Sequence, residues 1–248
     1  MGMKNRILVW VSRLMLTVPV MVPLTAYGSP PPPSNDMPHS VDNDYLTAWQ
    51  DLIKQGQSWE DSRKLEETNA FFANFDWKAD STLWKTEDYW ATPIETILSK
   101  AGDCEDFAVG KYLTLLALGI PMPRLRLTYA VQLELNQAHM VLAYFPVDRT
   151  DPLILDNLIP EIKPESSRPD LKTKYRFNDK AIWFHESLQH ERKVERDISE
   201  LAGFVKWNEM KQRLNSDPVN EHILQLALAE AERASEPEIR SSEPSTSL

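Results

Sequence analysis

The sequence predicts an α+β fold in which N-terminal helices pack on an antiparallel sheet. Apolar residues recur at helical spacing from Asp44 to Leu118, the period changes to two from Leu125 onward, and no internal repeat is present. A run of helices followed by consecutive strands is the pattern of that class.

Residues 1–28 read as an export signal: Lys4, Arg6 and Arg13 precede the apolar run Leu14 to Leu24, and Ala26-Tyr27-Gly28 offers small residues for cleavage. Pro19 and Pro23 break that run, which is shorter than the roughly 20 residues of a membrane-spanning helix. A cleaved signal, and with it an exported protein, is expected rather than an anchor. Residues 29–43 form a linker around Pro30-Pro31-Pro32-Pro33, whose composition favours extended polyproline geometry. One domain is expected over 44–215, followed by a helix over 216–234 opening at Asp217-Pro218. The Ser-, Glu- and Pro-rich tail 235–248 is expected to be disordered.

Within the domain, Trp49, Leu52 and Ile53 supply the apolar face of a helix over 44–55, and Leu65, Phe71, Phe72 and Phe75 that of one over 58–75. Thr92-Pro93-Ile94-Glu95 has the cap, N1 proline and acid of a helix start, with an end expected near Gly102. Asp103 to Leu118 carries a capping-box pattern through Asp103 and Asp106 and stops at Gly119. Strands follow over 125–131, 139–145 and 153–158, with a short pair at 175–178 and 181–185. From Ser187 onward the pattern reads helical again.

Net charge is −10, and loss of the signal takes it to about −13. A chain this acidic is repelled by nucleic-acid phosphates, so nucleic-acid binding is not expected. The acidity suits solubility, and equally Ca²⁺ or a basic partner surface. One cysteine cannot form an internal disulfide, so Cys104 is either an inert buried thiol or a reactive one.

Its position favours reactivity. Cys104 falls in the first turn of the 103–118 helix, where unpaired backbone N–H groups favour a thiolate. His139 opens an apolar strand 35 residues later, and Asp156 interrupts Leu153-Ile154-Leu155 on the next strand. Antiparallel pairing would set them side by side, Asp156 orienting the His139 imidazole beside the Cys104 thiol. Taken singly, His139 is also compatible with a core histidine and Asp156 with a strand-end residue. Asp103, Glu105 and Asp106 can cap the helix, yet their charges oppose a thiolate at Cys104. A Ca²⁺ ion held by these hard oxygen ligands would offset that charge, although the spacing is not that of an EF-hand.

These residues resemble a known family. Asp103-Cys104-Glu105-Asp106-Phe107-Ala108, Ala138-His139-Met140-Val141-Leu142, Leu155-Asp156-Asn157 and Tyr175-Arg176-Phe177-Asn178 with Trp183 are similar to the bacterial transglutaminase-like cysteine proteinases. Within that family the resemblance is to the LapG-type periplasmic proteases, and it covers roughly residues 44–190. It implies a papain-like, transglutaminase-like cysteine protease fold with Cys104 as nucleophile, His139 as base and then acid, and Asp156 orienting His139. It also implies Ca²⁺ dependence, carried most directly by Asp103 and Glu105 and further by Asp106. The oxyanion hole would take the Cys104 N–H and an upstream donor, for which Trp90 is a candidate; an aromatic there also suits a core. The resemblance further implies a large secreted adhesin as substrate, cut in its N-terminal region with release of the biofilm. An inner-membrane cyclic-di-GMP receptor is the implied regulator. Two other readings are an acyl-transferring transglutaminase-like enzyme and a non-catalytic periplasmic interaction domain, against which the intact Cys, His and Asp argue.

Overall fold

The computed structural model describes residues 43–187, 190–195 and 204–216. The expected signal, the linker apart from Asn43, the last helix from Asp217 and the tail lie outside them.

The apolar spacing of the first half produces helices that share one cluster. Helix α1 (Asn43–Gly56) buries Trp49 and Ile53, and α2 (Asp61–Phe72) buries Phe72. These meet Ile94 and Ile97 of α4 (Pro93–Ser99) and Phe107. Trp49 is fully buried and donates its indole N–H to Thr114 Oγ1 at 2.8 Å, so its polar atom is satisfied. Between α2 and α4 lie a two-residue strand, β1 (Asp76–Trp77), and a one-turn helix, α3 (Asp80–Leu83). No periodicity marks either in the sequence.

Helix α4 starts as expected, with Thr92 and Glu95 completing a capping box and Pro93 at the first turn. It ends three residues before Gly102. Lys100 takes a left-handed conformation, φ 51°, and turns the chain into β2 (Ala101–Gly102), which runs parallel to β1. A Cβ on Gly102 would lie 2.8 Å from the Asp106 side chain, a closeness only glycine permits.

Helix α5 (Cys104–Ala117) follows at once and is buried along its whole length from Asp106 to Ala117. A helix apolar on all sides must be covered on all sides. On one flank Gly110 lets α2 approach so closely that a Cβ there would sit 2.5 Å from the Phe72 ring. On the other flank Ala108, Tyr112 and Leu115 pack against the sheet residues Leu127, Met140, Leu142 and Phe177. Gly119, with φ 86°, ends the helix in a Schellman motif: its N–H donates to Leu116 O, and that of Ile120 to Leu115 O.

The sheet has seven strands in the order β6-β5-β4-β3-β7-β8-β9, every neighbouring pair antiparallel. They are β3 (Leu125–Gln132), β4 (Gln137–Tyr144), β5 (Leu153–Leu155), β6 (Lys163–Pro164), β7 (Leu171–Asn178), β8 (Ala181–Ser187) and β9 (His190–Glu195). Along β4, Met140, Leu142 and Tyr144 face the core beneath α5, while Val141 and Ala143 join Ile154 on the opposite face. That alternation is the period-two signal of the sequence made physical.

The structure departs from the sequence expectation in two segments. Strand β5 stops at Leu155 rather than Leu158, because the Asp156 carboxylate accepts the Leu158 N–H at 3.0 Å and folds the chain into a turn. The segment after Ser187 is not helical at first: β9 extends the sheet, with Val194 opposite Ile182 and Glu191 bound to Arg126 and Arg176. Helix returns at α6 (Val205–Ser216), which buries Trp207, Met210 and Leu214. Among the described residues no helix is long and apolar enough to cross a membrane.

Candidate active site

Cys104 is the first residue of α5, behind its cap Asp103, and is half-buried. The strand-to-helix turn that places it there is held by Asp106, whose carboxylate accepts the N–H of Ala91 at 2.7 Å and of Asp103 at 3.3 Å. The thiol donates to Glu105 Oε2 at 3.0 Å, and the Met140 backbone N–H also hydrogen-bonds the sulfur. Burial, and then the Glu105 carboxylate, push the thiol far up from its ordinary value. In this arrangement the thiol's proton lies towards a carboxylate rather than the imidazole.

His139 and Asp156 are brought together. Strands β4 and β5 pair Leu142 with Leu155 and Ala143 with Ile154, so continuing that register makes His139 and Asp156 diagonal neighbours on one face. His139 Nε2 lies 2.7 Å from Asp156 Oδ1, with both residues buried. An ionised carboxylate only accepts, so Nε2 carries a proton and donates it to Asp156. On its other side β4 pairs regularly with β3, His139 opposite Ala130, and one strand further on the β3–β7 register shifts in a bulge between Tyr129 and Ala130.

Asp156 has more partners than the sequence suggested. Its Oδ2 accepts Arg168 Nη2 at 2.7 Å, and Arg168 is in turn held by Asp170 through Nε at 2.9 Å and Nη2 at 2.7 Å. Burial pushes the Asp156 carboxyl up, but the His139 hydrogen bond and charge, the Leu158 N–H and Arg168 outweigh it and hold the group at about 2. Lys111 of α5 donates to the Asp156 backbone carbonyl at 3.0 Å, and burial lowers its ammonium to about 8.

A second cluster surrounds the nucleophile. Ligand atoms of Asp80, Asp103 and Asp106 lie within 4.8 Å of one another, as do those of Asp80, Asp88 and Glu105. Asp80 Oδ1 and Asp103 Oδ1 are buried with no hydrogen-bond partner. Burial together with the neighbouring acids pushes Asp103 up to about 10. Burial likewise raises Asp106 to about 8, against the Ala91 N–H, and Asp80 to about 6. Orphaned carboxylate oxygens converging from several segments fit a hard, oxygen-seeking cation such as Ca²⁺.

The spacing along the chain identified Asp103, Glu105 and Asp106 but missed Asp80 and Asp88, which arrive from α3 and the loop after it. It also missed Arg168 and Lys111. A lysine inside an otherwise apolar helix was a readable signal for Lys111; nothing local marks Arg168. Trp90 packs its ring against Phe177 and Trp207 and hydrogen-bonds Asp88, which is a core role.

A cysteine at a helix N-terminus together with a buried His–Asp pair, on helices packed against an antiparallel sheet, defines the class of papain- and transglutaminase-like thiol enzymes. The family model of the bacterial transglutaminase-like cysteine proteinases matches residues 49–187, and the chain belongs to that family. Among solved structures, EGTA-treated LapG of Legionella pneumophila is 41% identical, covering 69% of this chain and 89% of that one at a TM-score of 0.61. The calcium-bound form of the same protein is 40% identical, covering 70% and 91% at a TM-score of 0.60. Comparison with curated proteins gives no match.

Proposed function

We propose that this cysteine proteinase is a periplasmic, Ca²⁺-dependent endopeptidase that cleaves the N-terminal region of a large secreted surface adhesin and thereby promotes biofilm release. Cys104, His139 and Asp156 are its catalytic residues. The observation that carries the reading is the buried 2.7 Å His139–Asp156 bond on the strands beside the helix that begins at the chain's sole cysteine. The export signal read from residues 1–28 supports the location, and the likeness to LapG supports the substrate class.

His139, with Nε2–H committed to Asp156, accepts the Cys104 proton at Nδ1, and the sulfur attacks the scissile carbonyl. The Cys104 backbone N–H, unpaired at the start of α5, faces the developing oxyanion. His139 then protonates the departing amine, and a water activated by the same imidazole releases the acyl group. Asp156 keeps the imidazole in one tautomer throughout and stabilises its cationic form.

Asp103 and Glu105 would hold the Ca²⁺, joined by Asp80, Asp88 and Asp106, which line the same cluster. When bound, the ion supplies positive charge that offsets the carboxylates opposing a thiolate. Glu105 is the thiol's own acceptor, so this residue links the cluster to the nucleophile. A membrane-bound cyclic-di-GMP receptor that sequesters the protease is the proposed regulator.

The test is incubation of the mature protein with an adhesin N-terminal fragment, with and without EGTA, beside Cys104→Ala. Cleavage only by the wild type and only without EGTA is expected. Cleavage by Cys104→Ala would sink the thiol mechanism, and cleavage indifferent to EGTA would remove the Ca²⁺ requirement.

A further inference from the structure

Lys111 is only 2% exposed, in the middle of a helix whose other residues there are apolar. Burying an ammonium is costly, and a methionine would fill the same space without that cost. No carboxylate side chain pairs with it among the described residues; its hydrogen bond goes to the Asp156 carbonyl. That carbonyl lies just beyond the end of β5 at Leu155, where the strand ladder no longer serves it.

Lys111 and Cys104 are seven residues apart on α5, two turns and about 10 Å along one side of the helix. The same rigid element therefore carries the nucleophile and grips the main chain of the carboxylate. Asp156 is held from three directions: its backbone by α5 through Lys111, and its two oxygens by His139 of β4 and by Arg168.

We infer that Lys111 is a positioning residue for the reaction, fixing the Asp156 main chain relative to the helix that bears Cys104, so that Asp156 meets His139 in the catalytic geometry. The inference rests on the Cys104–His139–Asp156 reading above. A buried cation with one backbone partner is costly as a stability device and well suited as a rigid strut between two catalytic elements.

The probe is iodoacetamide, which alkylates the sole cysteine and needs no knowledge of the substrate. Rates are measured with Ca²⁺ present for wild type, Lys111→Met, Asp156→Asn, the double variant and His139→Ala. Thermal melting and the proton NMR signal of the His139 Nε2–H, identified by its loss in His139→Ala, are followed in parallel. Lys111→Met is expected to slow alkylation at least tenfold and to shift or lose that signal without a lower melting temperature. It should slow the Asp156→Asn protein no further, since coupled residues are non-additive. A wild-type rate in Lys111→Met, or a loss that adds in full to that of Asp156→Asn, would overturn the inference. If Lys111→Met does not fold, Lys111→Gln replaces it under the same two criteria. An unchanged rate in His139→Ala would instead overturn the triad reading, an outcome distinct from failure of Lys111 alone.

Discussion

At the scale of single residues, the site holds a hydrogen-bonded chain and an acidic cluster. His139, Asp156 and Arg168 are linked in turn, with only Arg168 Nη1 left buried without a partner, whereas in the cluster Asp80 and Asp103 each keep a buried carboxylate oxygen unpaired. His139→Ala removes the base and is expected to lower cleavage of the fragment by about 10²- to 10⁴-fold. Asp156→Asn should cost about tenfold or more by disturbing the tautomer. Circular dichroism and melting check that both variants stay folded; a collapse of the fold would make their role structural.

The acidic cluster makes a linked prediction about pH. A carboxyl held above its unfolded value binds its proton more tightly when folded, so its stabilising effect is full below about pH 4. That effect is lost as pH rises through about 6 for Asp80, 8 for Asp106 and 10 for Asp103. The Ca²⁺-free protein should therefore become less stable from pH 5 to pH 8. Added Ca²⁺ should raise the melting temperature more at pH 8 than at pH 5, and equal rises would place the ion away from these residues. Three of the five acids of this cluster were legible in the sequence. Asp103, Glu105 and Asp106 are adjacent, but Asp80 and Asp88 reach it through tertiary folding that no spacing encodes.

Among the elements, α5 decides where everything else sits. Its start and stop were readable because caps are local: Asp106 reaches the Asp103 N–H, and Gly119 takes the left-handed turn. The segments that escaped the sequence pattern have no such local chemistry. Strand β1 and helix α3 are too short to show a period, and β9 reads His-Glu-Arg-Lys-Val-Glu, whose Glu191 is paired by Arg126 and Arg176 only once the sheet exists. Tertiary pairing overrode a helical preference there. The close approach of α5 and α2 at Gly110 gives a direct check. Alanine would add up to about 1 kcal/mol of helix propensity, against about 1–3 kcal/mol for forcing a methyl into the Phe72 ring. Gly110→Ala is therefore expected to lower the urea midpoint, and a raised midpoint would show that the two helices yield freely.

For the molecule as a whole, the strand order sets β4, which carries His139, between its hairpin partner β3 and β5, just beyond whose end lies Asp156. Helix α6 joins the same core as α5, burying Trp207, Met210 and Leu214 there. Arg213 donates to Trp90 O, pairs with Glu95 at 3.3 Å and lies 4.2 Å over the Tyr89 ring, while Trp207 joins Trp90, Tyr112 and Phe177. The segment from Asp88 to Ala91 is thus pinned between α6 and Asp106 above the nucleophile. Arg213→Ala should destabilise the protein by about 1–2 kcal/mol and be read as a lower urea midpoint. An unchanged midpoint would mean that α6 is dispensable to the fold. The placement of Cys104 at the start of α5 and the His139–Asp156 pair were legible because each residue breaks its local pattern: a thiol in the first turn of a helix, an imidazole opening an apolar strand, a carboxylate ending one.

The proposed mechanism depends on His139 activating Cys104. The rate at which iodoacetamide alkylates Cys104 at pH 7 with Ca²⁺ present, compared between wild type and His139→Ala, tests this most directly. A fall of at least about tenfold in the variant, with the fold intact, is the predicted result. Equal rates in the two proteins would contradict it.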